Sequence, residues 1–383
     1  MNARAQKIRI GIAGTGYIAQ ALAALTAQLD DIELKTVYTH RPVTDIRDPA
    51  LSSALLTNQL DEFLESIDCM VECSGDVVRG TDTVLAAFAR KLPVVTMNAE
   101  MQVVSGSYLS SRGQISEAEG DQPGSEAALW RELSQMGFKP VVFGNIKGFL
   151  NHNPTAVDME YWAAKSGISI SQVTSFTDGT KVQIEQALVA NGLGATIAQE
   201  GLAGLKADNL NEGAEKLAQL APSSKAISDY LLAPGLPSGV FIVATHDESQ
   251  RKQLAYYKMG EGPFYTFLRA FHICHMEIPK TIREIVRSGT ILLNNGRNPT
   301  VNVAAIAKDH IPPGTQVHRA IGGTYMRGVS VLIKSKPAAV PIGLLQDAVI
   351  LRAVEPGQML TFDDVALPDS NALTAWNDVL LHA

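Results

Sequence analysis

Apolar positions fall along this chain in short branched runs, each followed by a stretch where they recur every three or four residues. The first run is Ile8, Ile10 and Ile12, ending among Gly11, Gly14 and Gly16. The next stretch carries Ile18, Leu22, Leu25 and Leu29 at spacings of four, three and four. Period two followed by one stripe at helical spacing predicts a strand, a tight turn and an amphipathic helix. The alternation repeats. Residues 33–38 read as a second strand, a short helix gathers around Leu60, Phe63 and Leu64, and 68–73 form a strand that stops at Ser74 and Gly75. Thr81 or Asp82 is expected to cap a helix with Val84, Leu85 and Phe88 facing inward. Residues 93–97 make another strand ending at Asn98-Ala99-Glu100. A helix follows, then a turn-rich break at 120–124, and helix 125–136 with strand 140–144 completes the unit. Such alternation predicts a parallel sheet covered on both faces, a doubly wound α/β domain of the Rossmann kind.

After Lys147 the texture changes. Asn151-His152-Asn153-Pro154-Thr155 is turn-like and leads to a helix over 156–166. Segments 172–177 and 180–183 flank Asp178-Gly179 and read as a hairpin with a D-G turn. Further strands are expected at 239–245 and 263–271, with a helix over 279–287, which together describe a mainly antiparallel α+β domain. The last part contains an internal echo: the run at 311–317 returns 43 residues later at 354–360, each placing a Pro-Gly turn between apolar runs. The expected organisation is a Rossmann domain at 1–148, an α+β substrate and dimerisation domain at 149–299, and a small β domain of the clip type at 300–383.

Composition narrows the function classes. Net charge is −7, and the last 43 residues hold six acids against Arg352 alone, so nothing attracts nucleic acid or an anionic membrane. Cys69, Cys73 and Cys274 form no disulfide framework, and Cys69 and Cys73 read as inert core thiols. With no leader or spanning apolar segment in the sequence, the expectation is a cytoplasmic protein acting on a small molecule, as a homodimer or higher homo-oligomer.

The glycine-rich turn carries the first candidate chemistry. In IRIGIAGTGYIA, Gly14 allows the turn, Gly16 lets backbone amides approach a pyrophosphate, and Ala19 lets the helix sit close to its strand. At the end of the second strand, where an acid would hold the ribose hydroxyls of NAD, Thr39-His40-Arg41 stands instead. A guanidinium there suits a 2′-phosphate, which favours NADP, with NAD still possible; the plainer reading is a solvated arginine before a proline. Expected cofactor contacts are Gly14, Thr15, Gly16, Tyr17, Ile18, Thr39, Arg41, Ser74, Gly75, Asn98 and Glu100. Hydride transfer needs a charge beside the substrate oxygen. Lys147, just past a strand end, and Arg269, interrupting an aromatic strand, are the candidates, with Asn191 and His272 as further substrate contacts. Asn191 also reads as a helix cap, and Lys181, after the D-G turn, as a solvated lysine. The run 272–277 holds two histidines and a cysteine at a spacing that fits no standard zinc site, so no metal ligands are assigned there. A magnesium-type set would have to draw on Asp121, Glu100 or Asp158.

Taken together, IGIAGTGYIA, VVTMNAEMQVVSGSYL, LNHNPT, FTDGTKVQIEQALVANGLG, GEGPFYTFLRAFHICHMEIPKTI and VPIGLLQ make nearly the whole chain resemble the homoserine-dehydrogenase-like oxidoreductases with a C-terminal SAF domain. The nearest branch in kind is the type II, reductoisomerase-like 1-deoxy-D-xylulose 5-phosphate reductoisomerases. The resemblance implies an NADP-dependent enzyme acting on a small polyhydroxylated or phosphorylated carbonyl compound, with a divalent metal if it isomerises. Alternatives are a simple dehydrogenase of a small hydroxy compound and a non-catalytic NADP-binding sensor. The chain departs from these relatives at two places. Asn98-Ala99-Glu100 stands where homoserine dehydrogenases have A-N-K, and Gly144-Asn145-Ile146-Lys147 where the reductoisomerase branch has G-K-G-K.

Overall fold

The computed structural model describes residues 7–53 and 55–382. The first layer is built from β1 (Ile8–Ala13), α1 (Tyr17–Thr26), β2 (Ile32–Tyr38), β3 (Leu56–Thr57), α2 (Leu60–Glu65), β4 (Cys69–Glu72), α3 (Val77–Ala89), β5 (Val94–Thr96), α4 (Ala99–Ser110) and β6 (Ile115–Glu117). Its six strands are all parallel, in the order β3-β2-β1-β4-β5-β6. That is the doubly wound order with its switch point between β1 and β4. A central parallel strand is apolar on both faces because helices cover both, and Ile10 and Ile12 of β1 are fully buried.

The second layer follows α5 (Gln122–Gln135). It comprises β7 (Lys139–Lys147), α6 (Ala156–Ser166), α7 (Ile170–Thr177), α8 (Thr180–Gly192), β8 (Leu205–Lys206), α9 (Leu210–Leu220), β9 (Ile227–Leu232), β10 (Val240–Thr245), α10 (Arg251–Tyr256), β11 (Tyr265–Arg269) and α11 (Cys274–Ser288). Four expectations need correction here. The 140–144 strand does not complete the first sheet: it lies inside β7, at the centre of a second sheet ordered β11-β10-β7-β9-β8. A fully apolar strand fits any sheet interior, and its partners are set by distant segments. This sheet is also mixed, since β7 runs antiparallel to β10 but parallel to β9. Finally, the D-G hairpin is a junction of two helices. Asp178 ends α7 and its Oδ1 accepts from the Thr180 amide (2.9 Å), while Gly179 turns the chain at φ 86° into α8. Helix α3 likewise starts earlier than expected, capped by Asp76, which accepts from the Arg79 amide at 2.8 Å.

The chain then returns to the first layer. Ile278, Ile282 and Ile285 of α11 share a buried cluster with Ile8, Ala19 and Leu22, and Arg283 is bidentate on Asp31 at 2.9 and 2.8 Å. The tail contains β12 (Val301–Ala307), β13 (Gln316–Val317), β14 (Met326–Leu332), β15 (Ala348–Ile350), β16 (Val365–Ala366) and α12 (Asn371–His382). The two echoed segments pair with each other: the Ile311 and Val354 amides donate to each other's carbonyls at 2.9 and 3.0 Å. This tail is not a separate bead. Val303, Ile342 and Trp376 belong to one buried cluster with Val77 of α3, Val104 of α4 and Val182 and Leu188 of α8. Among the described residues, no helix is long and apolar enough to cross a membrane.

Candidate active site

At the carboxyl end of β1 the backbone is shaped for a dinucleotide. Gly14 holds φ 121° with its α-carbon against the backbone of Cys73 and Ser74, where a Cβ would approach to 2.9 Å. A Cβ on Gly16 would meet nothing within 4 Å. Helix α1 starts at that open face with no side-chain cap and no acid in its first turn, which leaves its amides and positive dipole end for an anion. Thr15 is buried and accepts from the Arg41 guanidinium, whose second contact is the Thr15 carbonyl at 3.3 Å, so the arginine spans the gap between the glycine turn and the end of β2. Thr39 positions it by accepting from the Arg41 amide at 3.1 Å. Tyr17 is exposed beside the turn, and Ile18 packs inward. Ser74 and Gly75 follow β4 on the same edge; the Ser74 amide and hydroxyl both donate to Glu72. Burial pushes that carboxyl up to about 6, against those hydrogen bonds. Asn98 is spent on structure, with its Oδ1 capping α4 through the Met101 amide and its Nδ2 donating to the Asp76 carbonyl, both at 3.0 Å. These residues fit a nicotinamide dinucleotide.

Beyond the end of β5 lies a set of charges drawn from both layers. Lys181, in the first turn of α8, is buried and reaches Glu100 of α4 at 3.3 Å and Asp121 at 3.4 Å. Burial opposes its charge, yet Asp121, Glu100, Glu185 and Glu117 together hold the ammonium well above its ordinary value. An ammonium has three N–H donors, and these two long contacts leave one uncommitted. Lys147 donates to Glu185 at 2.8 Å, as does Asn145. Gln122 joins the two lysine groups: with its amide oriented to suit its neighbours, it donates to Asp121 (2.6 Å) and Glu185 (3.2 Å) and accepts from Lys147 (3.2 Å). His272 faces the same amide through Nε2 at 3.3 Å, while its Nδ1 is buried without a partner. Glu117 and Glu126 lie fully buried beneath, and burial pushes the values of both well up. The loop that places Asp121 and Gln122 is held tightly: Gly120 has φ 114°, and a Cβ there would come within 2.4 Å of the Cys274 carbonyl.

Not every expected contact is brought together. Arg269 is bound to Glu119 (2.7 Å) and to Glu277, with Lys280 on the same two carboxylates, so its charge is already matched within the chain. Asn191 lies at the far end of α8. Its Nδ2 donates to Asn295 Oδ1 and the Val301 carbonyl, and its Oδ1 accepts from the Thr300 and Val301 amides. Asp158 is an exposed residue near the start of α6, held by Thr155, and is not grouped with Glu100 and Asp121, between which the Lys181 ammonium sits. Among the described residues, no set of three or more His, Cys, Asp or Glu side chains is placed to hold a metal. The sequence reading favoured a solvated lysine at Lys181 and passed over Glu185 and Gln122. One signal was available: Asp121 with Pro123 two residues on is a helix start, and α5 begins at Gln122, not after the turn-rich break.

A glycine turn shaped for a dinucleotide, with a buried lysine between carboxylates beyond the end of β5, fits a class, the NAD(P)-dependent oxidoreductases. Comparison of sequences agrees: residues 120–278 match the family model described as oxidoreductase DRL, catalytic domain. No curated protein matches the chain. Among solved structures, it is similar to a myo-inositol dehydrogenase from Corynebacterium glutamicum (13% identity, 74% of this chain and 89% of that one, TM-score 0.42). It is also similar to a UDP-N-acetylglucosamine 3-dehydrogenase from Acidithiobacillus ferrooxidans (12% identity, 76% and 92%, TM-score 0.43).

Proposed function

We propose that the protein is an NADP-dependent dehydrogenase of a small polyhydroxylated compound, interconverting a carbonyl and an alcohol, with Lys181 as the group that meets the substrate oxygen. The observation that carries this reading is the Lys181 ammonium, buried between Glu100 and Asp121 with an N–H to spare. The dinucleotide, when bound along Gly14–Ile18 and Arg41, supplies or accepts the hydride. Lys181 stays charged at neutral pH, so it works as a hydrogen-bond donor and acid: it stabilises negative charge growing on the oxygen and gives it a proton during reduction. In the reverse direction the neutral amine takes the alcohol's proton, and the ammonium so formed stabilises the oxygen as hydride leaves the carbon. Asp121 and Glu100 orient the ammonium, and Gln122 ties that pair to Glu185 and Lys147, which lie next to it.

Two features favour this over the rival readings. A sensor has no need of a converging set of titratable groups around the crevice. A phosphosugar isomerase would need cations for a dianion, yet Lys147 is paired with Glu185 and Arg269 with Glu119 and Glu277. The test uses Lys181→Met. Reduction should slow by roughly a hundred- to ten-thousandfold, while NADPH binding followed by its fluorescence stays within a few-fold. Since the folded value lies above the ordinary 10.5, the native enzyme should show no alkaline loss of kcat/KM for reduction below about pH 10. A fall nearer pH 8, or full activity in the methionine variant, rules Lys181 out of this role.

A further inference from the structure

The first turn of α8, which carries Lys181, is gripped by the tail. Strand β14 pairs with β12 along one edge only, so the amides of its other edge need acceptors. Helix α8 supplies them. The Gly328 amide donates to Thr180 Oγ1 at 2.9 Å and the Ser330 amide to Gln183 Oε1 at 2.8 Å, while the Ser330 hydroxyl donates to the Gln183 carbonyl at 3.0 Å. The approach is close: a Cβ on Gly328 would fall 2.8 Å from Val303 and 3.1 Å from Thr180. Thr180 and Gln183, three residues apart, share one face of the helix, and Lys181 projects roughly 100° round from Thr180, off the side that the tail does not hold.

A buried charge pair completes the grip. Asp178 is fully buried, and while its Oδ1 accepts from the Thr180 amide, its Oδ2 accepts from Lys308, just past the end of β12, at 3.2 Å. The Lys308 side chain is only 5% exposed and also donates to the Gly323 carbonyl at 2.7 Å. Among the described residues, Lys308 is the one ion-pair partner of Asp178. Burial pushes the Asp178 carboxyl up, and the Lys308 charge is the first of the influences that oppose it. Without Lys308 the carboxylate would be buried with no counterion, and would take up a proton or turn toward water. Either change weakens its hold on the Thr180 amide.

We propose that Lys308 is a positioning residue for Lys181: paired with Asp178, it fixes the turn into α8 and so the place of the ammonium between Glu100 and Asp121. The contacts of Lys181 with those two carboxylates are long, 3.3 and 3.4 Å, and restrain the helix weakly. The register of its backbone is set instead by the shorter bonds from Gly328, Ser330 and Asp178. Of the residues that make this grip, Lys308 alone brings a positive charge, from 130 positions beyond Asp178. The proposal rests on the reading of Lys181 as the group that meets the substrate oxygen, but the placement of Lys181 is measurable without turnover.

Brief acetylation of the full-length folded protein with acetic anhydride, read lysine by lysine in a mass spectrometer, tests it. An amine is acylated only when it is unprotonated and within reach, so the native Lys181 should label slowly. Lys308→Met is expected to speed Lys181 labelling by roughly fivefold or more through local opening of the turn, with the other lysines within about twofold. Lys308→Arg, which keeps the charge, should return Lys181 to near the native rate. A lysine that only stabilised the fold would, on removal, raise the other lysines alongside. Should Lys308→Met not fold, Lys308→Gln, which keeps a donor and no charge, is expected to speed Lys181 labelling severalfold. The proposal is overturned if Lys181 labels at the native rate in a folded uncharged variant, if the other lysines rise equally, or if arginine does not restore the native rate. Full reductase activity in Lys181→Met would instead remove the catalytic reading and leave the labelling result standing.

Discussion

At the scale of single residues, charge placement decides the chemistry, and Arg41 offers the sharpest case. Its guanidinium bridges to Thr15 at the glycine turn, where an acid would otherwise receive a ribose hydroxyl. Arg41→Asp should weaken NADPH by roughly ten- to hundredfold, the usual worth of a charge-assisted contact of about 1.5–3 kcal/mol, and leave NADH little changed or improved. Equal losses in a fluorescence titration of both cofactors would show that Arg41 does not read the 2′-phosphate. The residue was legible because its position follows from the strand count alone. Lys181 was not. Its neighbours in sequence, Gly179 and Thr180, suggest a wet turn, while the carboxylates that hold it sit 60 and 81 positions away. Likewise Arg269 carries the charge expected of it, but its partner Glu119, which matches that charge within the chain, comes from a segment 150 residues distant.

Among the elements, the doubly wound sheet could be read directly, since apolar strands alternate with single-stripe helices such as α1. Helix α8 could not. Every residue from Thr180 to Ala190 is buried, packed by the second sheet, by α4 and by β14, so no polar face marks its period. A helix buried on all sides resembles a strand over any short window, and the D-G step completed that impression. The C-terminal end of α8 is fastened by Asn191, whose amide makes four contacts with Asn295 and the 300–301 backbone. Asn191→Ala would leave two backbone amides and a carbonyl short of partners. It should cost about 1–3 kcal/mol in denaturant unfolding, with kcat and KM of the folded variant near those of the native protein. A collapse in kcat at unchanged stability would instead return Asn191 to the substrate site.

For the whole molecule, the sequence suggested three consecutive units, and the buried clusters cut across them. Residues of the tail complete the packing of α3, α4 and α8. A chain ending at residue 299 should therefore show no cooperative thermal transition and no NADPH binding; retention of binding within a few-fold would make the tail a separable module. The same interlacing governs how the protein comes into being. Helix α11 closes one side of the first sheet through contacts such as Arg283 with Asp31, 252 positions apart. Helix α12 lies on α3 and α4, with Asn371 donating to Asp82 across 289 positions. On the ribosome, the dinucleotide layer thus emerges first yet waits for nearly the whole nascent chain before its flanks are covered. Its exposed apolar faces during that interval are the surfaces a chaperone would meet.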